Sequence, residues 1–193
     1  MKNAEILNSQ LKKEFQEKNT YITLERYVMS ELLSPIEDYV SAIQIIKENE
    51  DLIEGLNLYY IATDLSTMWF CGAEEFLEKL NSIIDTVPDK DKAIIYYLNA
   101  NYISYNRADK NLKDNKEYKE FLTKSIECSG DINFANNWLD FARILDGKES
   151  QACMEKARAN IKKNKKMKAN YNETLDYFLS SQSYIDEFIL GIT

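Results

Sequence analysis

Apolar side chains recur along the chain every three or four positions, the spacing that places them on one face of a helix. Ile36, Tyr39, Val40 and Ile43 form one such stripe. Phe76, Leu77, Leu80, Ile83, Ile84 and Val87 form a second. Phe134, Ala135, Trp138, Phe141, Ala142 and Leu145 form a third. Tyr171, Leu175, Phe178, Ile185 and Ile189 form a fourth, interrupted by Gln182. No segment sustains the alternation of period two that a half-buried strand requires.

The polar positions between the stripes carry start and stop chemistry. Ser34-Pro35-Ile36-Glu37 reads as an N-cap, a proline at the first helical position and a capping-box glutamate. Asn170-Tyr171-Asn172-Glu173 is a second start of this kind. Gly55, Gly72, Gly130 and Gly147 fall between stripes, where a helix end favours glycine, and Pro88 closes the segment that ends at Val87. These signals predict about ten helices, near 3–18, 21–33, 35–53, 56–70, 73–86, 89–106, 115–128, 131–145, 148–163 and 171–190. No linker is rich enough in Gly, Ser or Pro to divide the 193 residues, so a single helical domain is expected over 1–193.

A longer period overlies the helical one. Tyr60, Tyr97, Phe134 and Tyr171 stand 37 positions apart each time, and Tyr59 maps onto Tyr96, Ile61 onto Leu98, and Leu65 onto Tyr102 and then Leu139. An aromatic at fixed register, early in a helix that another helix follows, marks hairpins that bury their apolar faces on one another. The expected fold is all-α, with stacked antiparallel hairpins over 56–190 and a less regular cap over 1–55.

In this respect the chain resembles the tetratricopeptide-repeat-like helical solenoids. The resemblance covers 56–190 and rests on the 37-residue period and on Asn137-Trp138-Leu139-Asp140-Phe141-Ala142 followed by Glu155-Lys156-Ala157. It implies an α-solenoid. The period exceeds that family's ~34 residues, and its small residue and trailing proline are mostly missing, so no ligand-contact position is carried over.

Composition narrows the function. The chain has no histidine, which removes His-based acid–base catalysis, Ser-His and Cys-His nucleophiles and most zinc sites. Its glycines are isolated, with no phosphate-binding loop. Cys71, Cys128 and Cys153 lack metal-ligand spacing and suit small buried thiols. The expectation is therefore no enzyme, no catalytic residue, no metal and no cofactor. Met1-Lys2-Asn3 is followed by no long apolar stretch, and nothing approaches the roughly 18 apolar residues of a membrane span. A cytoplasmic protein with no membrane partner is expected.

Charge points to the partner. The net charge of −8 favours a basic protein or peptide over nucleic acid. Plotted at 100° per residue, Tyr59, Tyr96 and Asn133 share one side of successive first helices, with Asn99 and Asn136 close by. Such a row offers aromatic area together with hydrogen bonding. Asp64 and Asn101 share a second register, with Trp138, inside the apolar stripe. The expected partner-binding residues are thus Tyr59, Tyr96, Asn99, Asn133, Asn136, Asp64 and Asn101. A bacterial immunity protein that masks a basic toxin fits this physical type, as does a peptide-sensing regulator. Against the acidic trend, Lys156, Arg158, Lys162, Lys163, Lys165, Lys166 and Lys168 form a run without an acid. Since −8 less +7 is −15, the remainder carries −15. That run is the alternative site, for nucleic acid or an acidic protein.

Overall fold

The computed structural model describes the backbone of residues 2–32, 39–68, 72–106, 111–129 and 135–167, and most side chains from 6 to 160. Among these residues there are nine α-helices, two short 3-10 turns and no strand. The helices are α1 (Lys2–Lys18), α2 (Tyr21–Leu32), α3 (Tyr39–Glu48), α4 (Asn57–Met68), α5 (Ala73–Ile83), α6 (Asp89–Asn106), α7 (Lys116–Ser129), α8 (Ala135–Ile144) and α9 (Gly147–Met167). The all-α class read from apolar spacing holds. The cap at Ser34–Glu37, Gly130 and the whole of the predicted helix 171–190 lie outside the described residues.

Where boundaries differ, local chemistry explains the shift. The helix expected to run to 53 ends at Glu48 and continues as a 3-10 turn over Glu50–Leu52. There the Asn49 side chain donates 2.8 Å to the Ile45 carbonyl and takes up a group the helix leaves open. α9 runs through the lysines to Met167, four residues beyond the expected end. Gly147 stands at its start with φ +56°, in the left-handed region that glycine enters without a Cβ clash. Asn19 ends α1 similarly, with φ 47° and its N–H 2.8 Å from the Phe15 carbonyl.

The chain divides into two compact units, Met1–Leu80 and Asn81–Thr193. In the first, α1 packs on α2, α2 on α3 and α3 on α4. Its core is built from Leu24, Val28, Ile46, Leu58, Ile61, Leu65, Phe76 and Leu80, all nearly inaccessible to solvent. Val40, expected in the apolar stripe, is 58% exposed. Ala42, Ile43 and Ile46 set the buried face of α3, and at 100° per residue Val40 falls well outside it.

In the second unit the helices follow one another as antiparallel neighbours. Ala93 and Tyr96 of α6 meet Ser125 and Phe121 of α7. Ser125 meets Asn137 of α8, while the flanking Lys113 and Asp146 join at the opposite end. Trp138 and Ala142 of α8 meet Lys156 and Ser150 of α9. In each pair the partner number falls as the residue number rises.

The 37-residue register is visible in burial. From Leu58 to Met68 in α4 and from Ile95 to Tyr105 in α6, matched positions fall in the same burial class except Leu65 against Tyr102 and Thr67 against Ser104. Tyr60 and Tyr97 are both core residues. Thr63, Ala100 and Asn137, each 37 apart, are all 0% exposed. α8 corrects the third stripe, however. Its deepest side chains include the polar Asn137 and Asp140, whereas Trp138, Phe141 and Leu145 are half-buried. Phe134 and the side chain of Ala135 lie outside the described residues.

Candidate functional site

Tyr59 of α4 and Tyr96 of α6 have similar neighbours, each meeting a phenylalanine of the helix that follows. Tyr59 meets Phe76 of α5 edge-on, with ring centroids 6.4 Å apart, and the Lys79 ammonium lies 5.9 Å from its ring centre. Tyr96 meets Phe121 of α7 at 6.3 Å, and the Lys124 ammonium lies 5.6 Å from its ring centre. In both cases the lysine follows the phenylalanine by three positions, one helical turn, so both side chains reach the same tyrosine. Each lysine is also held by an acid. Glu50 takes Lys79, and Glu120 takes Lys124 at 2.7 Å. These hydrogen bonds raise both ammonium groups above their ordinary pKa. The two tyrosines therefore present half-buried rings with a lysine over each, not open aromatic faces.

Phe76 has a second such contact, from α3. Lys47 lies 5.3 Å over Phe76 and 3.2 Å from Glu75. Two ion pairs, Lys47–Glu75 and Glu50–Lys79, thus tie the α3 end to α5. Each spans nearly thirty residues of sequence and brackets the Tyr59–Phe76 pair.

The polar members of the predicted surface separate. Asn99 is 7% exposed and exchanges two hydrogen bonds with Asn81, at 2.9 and 3.0 Å, while its amide also donates 2.8 Å to the Ile95 carbonyl. Asn99 is thus a buried residue paired with the exposed Asn81 and not part of an open row. Asp64 and Asn101, expected inside the apolar stripe, are both half-buried. Asn133 and the side chain of Asn136 lie outside the described residues. Tyr59 and Tyr96 each meet a phenylalanine of the next helix, but Asn99 does not join them at the surface.

On the alternative site, Lys156 and Arg158 are exposed on α9. Lys162, Lys163, Lys165 and Lys166 belong to the same unbroken helix, and Lys168 lies outside the described residues. The Lys156 ammonium sits 4.1 Å from the centre of the Trp138 ring. The sequence run contains no aromatic, yet the fold places one beside its first lysine.

Sequence reasoning missed a buried polar cluster among the described residues. The Ser125 hydroxyl donates 2.6 Å to the Ala93 carbonyl and accepts 2.7 Å from the Asn137 amide, joining α6, α7 and α8 through one oxygen. One turn on from Asn137, Asp140 takes Arg143 at 2.7 Å. Burial pushes the Asp140 carboxyl up to about 6, against the lowering effect of Arg143. Tyr118 of α7 faces it, fully buried, with its phenol raised by burial and by the Asp140 charge. The signal available in sequence was Asn137 at the 37-residue register of Thr63 and Ala100, a register that is buried throughout.

Among the described residues no group of His, Cys, Asp and Glu could hold a metal ion, and no helix is long and apolar enough to cross a membrane. Cys128 and Cys153 are free thiols, both shifted up by burial. Cys153 is buried and Cys128 half-buried, while Cys71 lies outside the described residues. No family model, curated protein or solved structure matches this chain.

Proposed function

We propose that this chain is a non-enzymatic, tetratricopeptide-repeat-like binding module whose N-terminal unit engages a basic protein or peptide. A dedicated inhibitor of a basic toxin is the specific form of that reading. The observation that carries it is the partition of charge. Met1–Leu80 holds fifteen acidic and seven basic residues, a net −8, while Asn81–Thr193 holds seventeen of each. The whole net charge of the chain belongs to one unit. A field of one sign concentrated on part of a molecule steers oppositely charged partners and rejects acidic competitors.

Two further features support the reading. The side chains of Glu48, Asp51 and Glu54 are exposed in a stretch of seven residues at the end of α3 and the turn that follows. The Tyr–Phe–Lys setting that recurs between α4 and α5 and between α6 and α7 supports a repeated local plan. The test is affinity capture from the native host with nuclease present, using the wild-type chain and the triple variant Glu48→Lys, Asp51→Lys, Glu54→Lys. Recovery of one basic protein in near-equal amount, lost with the triple variant at unchanged helicity, fits the proposal. Equal recovery by both forms removes the acidic unit as the site.

A second reading is favoured by one observation, the continuous α9 that carries the basic run with Trp138 beside Lys156. In that reading the second unit contacts an acidic polymer, and capture is lost on nuclease treatment.

A further inference from the structure

Asp140 is a buried acid beside an incomplete hydrogen-bond site. Its side chain is 11% exposed, and Arg143, whose side chain is 61% exposed, holds it from the same helix. From α7 the group that faces it is the Tyr118 phenol. From α9, Lys156 turns to Trp138 and Ser150 donates to the Ala142 carbonyl, while Lys113 takes Asp146 at the end of α8. Arg143 is thus the cation that balances Asp140.

One turn earlier on the same helix, Asn137 is 0% exposed. Its amide nitrogen is used on Ser125, but its side-chain oxygen meets no hydrogen-bond donor among the described residues. A buried acceptor without a donor is costly. Residues three apart on a helix are neighbours. An ionised carboxylate can only accept, whereas a carboxylic acid carries an O–H that donates. A protonated Asp140, three positions along the same helix face, would carry a donor of the kind that the Asn137 oxygen can accept.

We propose that Asp140 is a proton-operated latch at the α7–α8 junction, which on protonation donates to the Asn137 side-chain oxygen and lets the Arg143 guanidinium go to solvent. The step binds one proton and breaks no covalent bond. Arg143 is already mostly hydrated, so its release costs little, while the new bond forms where water is excluded. The upward displacement of the Asp140 carboxyl to about 6 agrees in direction. Because that value exceeds the ordinary 3.8 of the unfolded chain, the folded unit binds the proton more tightly. Mild acid then tightens this junction. The contribution is fully present below about 4 and is lost as pH rises through about 6.

The test compares the wild-type chain with Asp140→Asn, which cannot titrate. Between pH 5 and 7.5 the wild-type unfolding constant should rise roughly tenfold relative to that of the variant. A ratio that does not change with pH overturns the latch. Carbon-13 titration of the Asp140 carboxyl in Asn137→Leu separates the latch from burial alone. The midpoint should fall when the acceptor is removed, and an unmoved midpoint overturns the proposal. If that variant does not fold, the Arg143 side-chain nitrogen in the wild type supplies the same decision. It should shift with the Asp140 midpoint, and constancy through that range overturns the release step.

Discussion

The ammonium of Lys156 lies 4.1 Å from the centre of the Trp138 indole, close enough for the ring face to attract the cation. The contact joins α8 to the start of the basic run, and it alters what Trp138 contributes. A half-buried ring under a lysine loses less on truncation than a ring sealed in a core. Trp138→Ala should cost about 1–3 kcal/mol, below the 3–5 of a fully buried aromatic. Lys156→Ala should change the indole emission without unfolding the chain. Urea denaturation and fluorescence measure both. A Trp138→Ala loss near the full core value would mean that the ring is sealed, contrary to this packing.

The Asn81–Asn99 pair makes a sharper stability prediction. Asn99 makes three hydrogen bonds, two of them to Asn81. Asn99→Ala should cost about 1 kcal/mol, because its bonds to the Ile95 carbonyl and to the exposed Asn81 are lost. A double-mutant cycle with Asn81→Ala should give a coupling energy of roughly 1 kcal/mol. Additive single effects would show that the pair is incidental.

Ser125 predicts a second non-additive result. Ser125→Ala removes the acceptor of the buried Asn137 amide and the donor to the Ala93 carbonyl at once. The loss should be about 1–3 kcal/mol. Adding Asn137→Leu removes the stranded amide, so part of that stability should return in the double variant. Chemical denaturation of the three forms decides it. Losses that simply sum would mean that the hydroxyl does not join the three helices energetically.

How far the sequence reveals this fold follows from what each residue reports. Apolar spacing located the helices because a buried face must repeat at 3.6 residues whatever it packs against. The register of Tyr60 and Tyr97 was legible because both are core residues of matched helices. The buried face of α8 was not legible, since Asn137 and Asp140 read as solvent-facing by residue type. Ser125, brought in from α7, takes the Asn137 amide, and Arg143, one turn along α8, partners Asp140. Asn99 was misplaced for the same reason, because its partner Asn81 lies across a turn. The candidate binding row suffered most. Helical angle placed Tyr59 and Tyr96 on a common side, but angle alone does not show that Phe76, Phe121 and two lysines cover them.

Alkaline titration tests the packing of the first unit. Burial, aided by Glu31, raises the Tyr27 phenol to about 12, and burial with Glu25 raises Tyr21 to about 12. An unfolded tyrosine ionises near 10. The unfolded state therefore sheds these protons first. The stability they contribute is intact below pH 10 and is lost as pH rises toward 12. Absorbance at the phenolate band should show a delayed fraction, and Tyr27→Phe should reduce both that fraction and the alkaline loss of stability. Phenols that all titrate near 10 in the folded chain would contradict the stacking of Tyr27 on Phe15, whose ring centroids are 6.1 Å apart.

The two proposed faces differ in their response to salt. If the acidic unit holds the partner, binding of a basic protein weakens as salt screens the exposed carboxylates, with a Debye length of about 10 Å at 0.1 M. Reversing Glu48, Asp51 and Glu54 should then reduce the association rate more than it raises the dissociation rate, since rim charges act mainly on encounter. Reversing Lys162, Lys163, Lys165 and Lys166 should leave that binding unchanged or strengthen it, because it makes the chain more acidic. If the basic run is the site, the pattern inverts. The lysine variant then loses binding to an acidic polymer, and the carboxylate variant gains it. Surface plasmon resonance at two salt concentrations, with the partner recovered by capture and with a single-stranded oligonucleotide, separates the two. The acidic-unit reading fails if the partner's association rate is indifferent both to salt and to the carboxylate reversal.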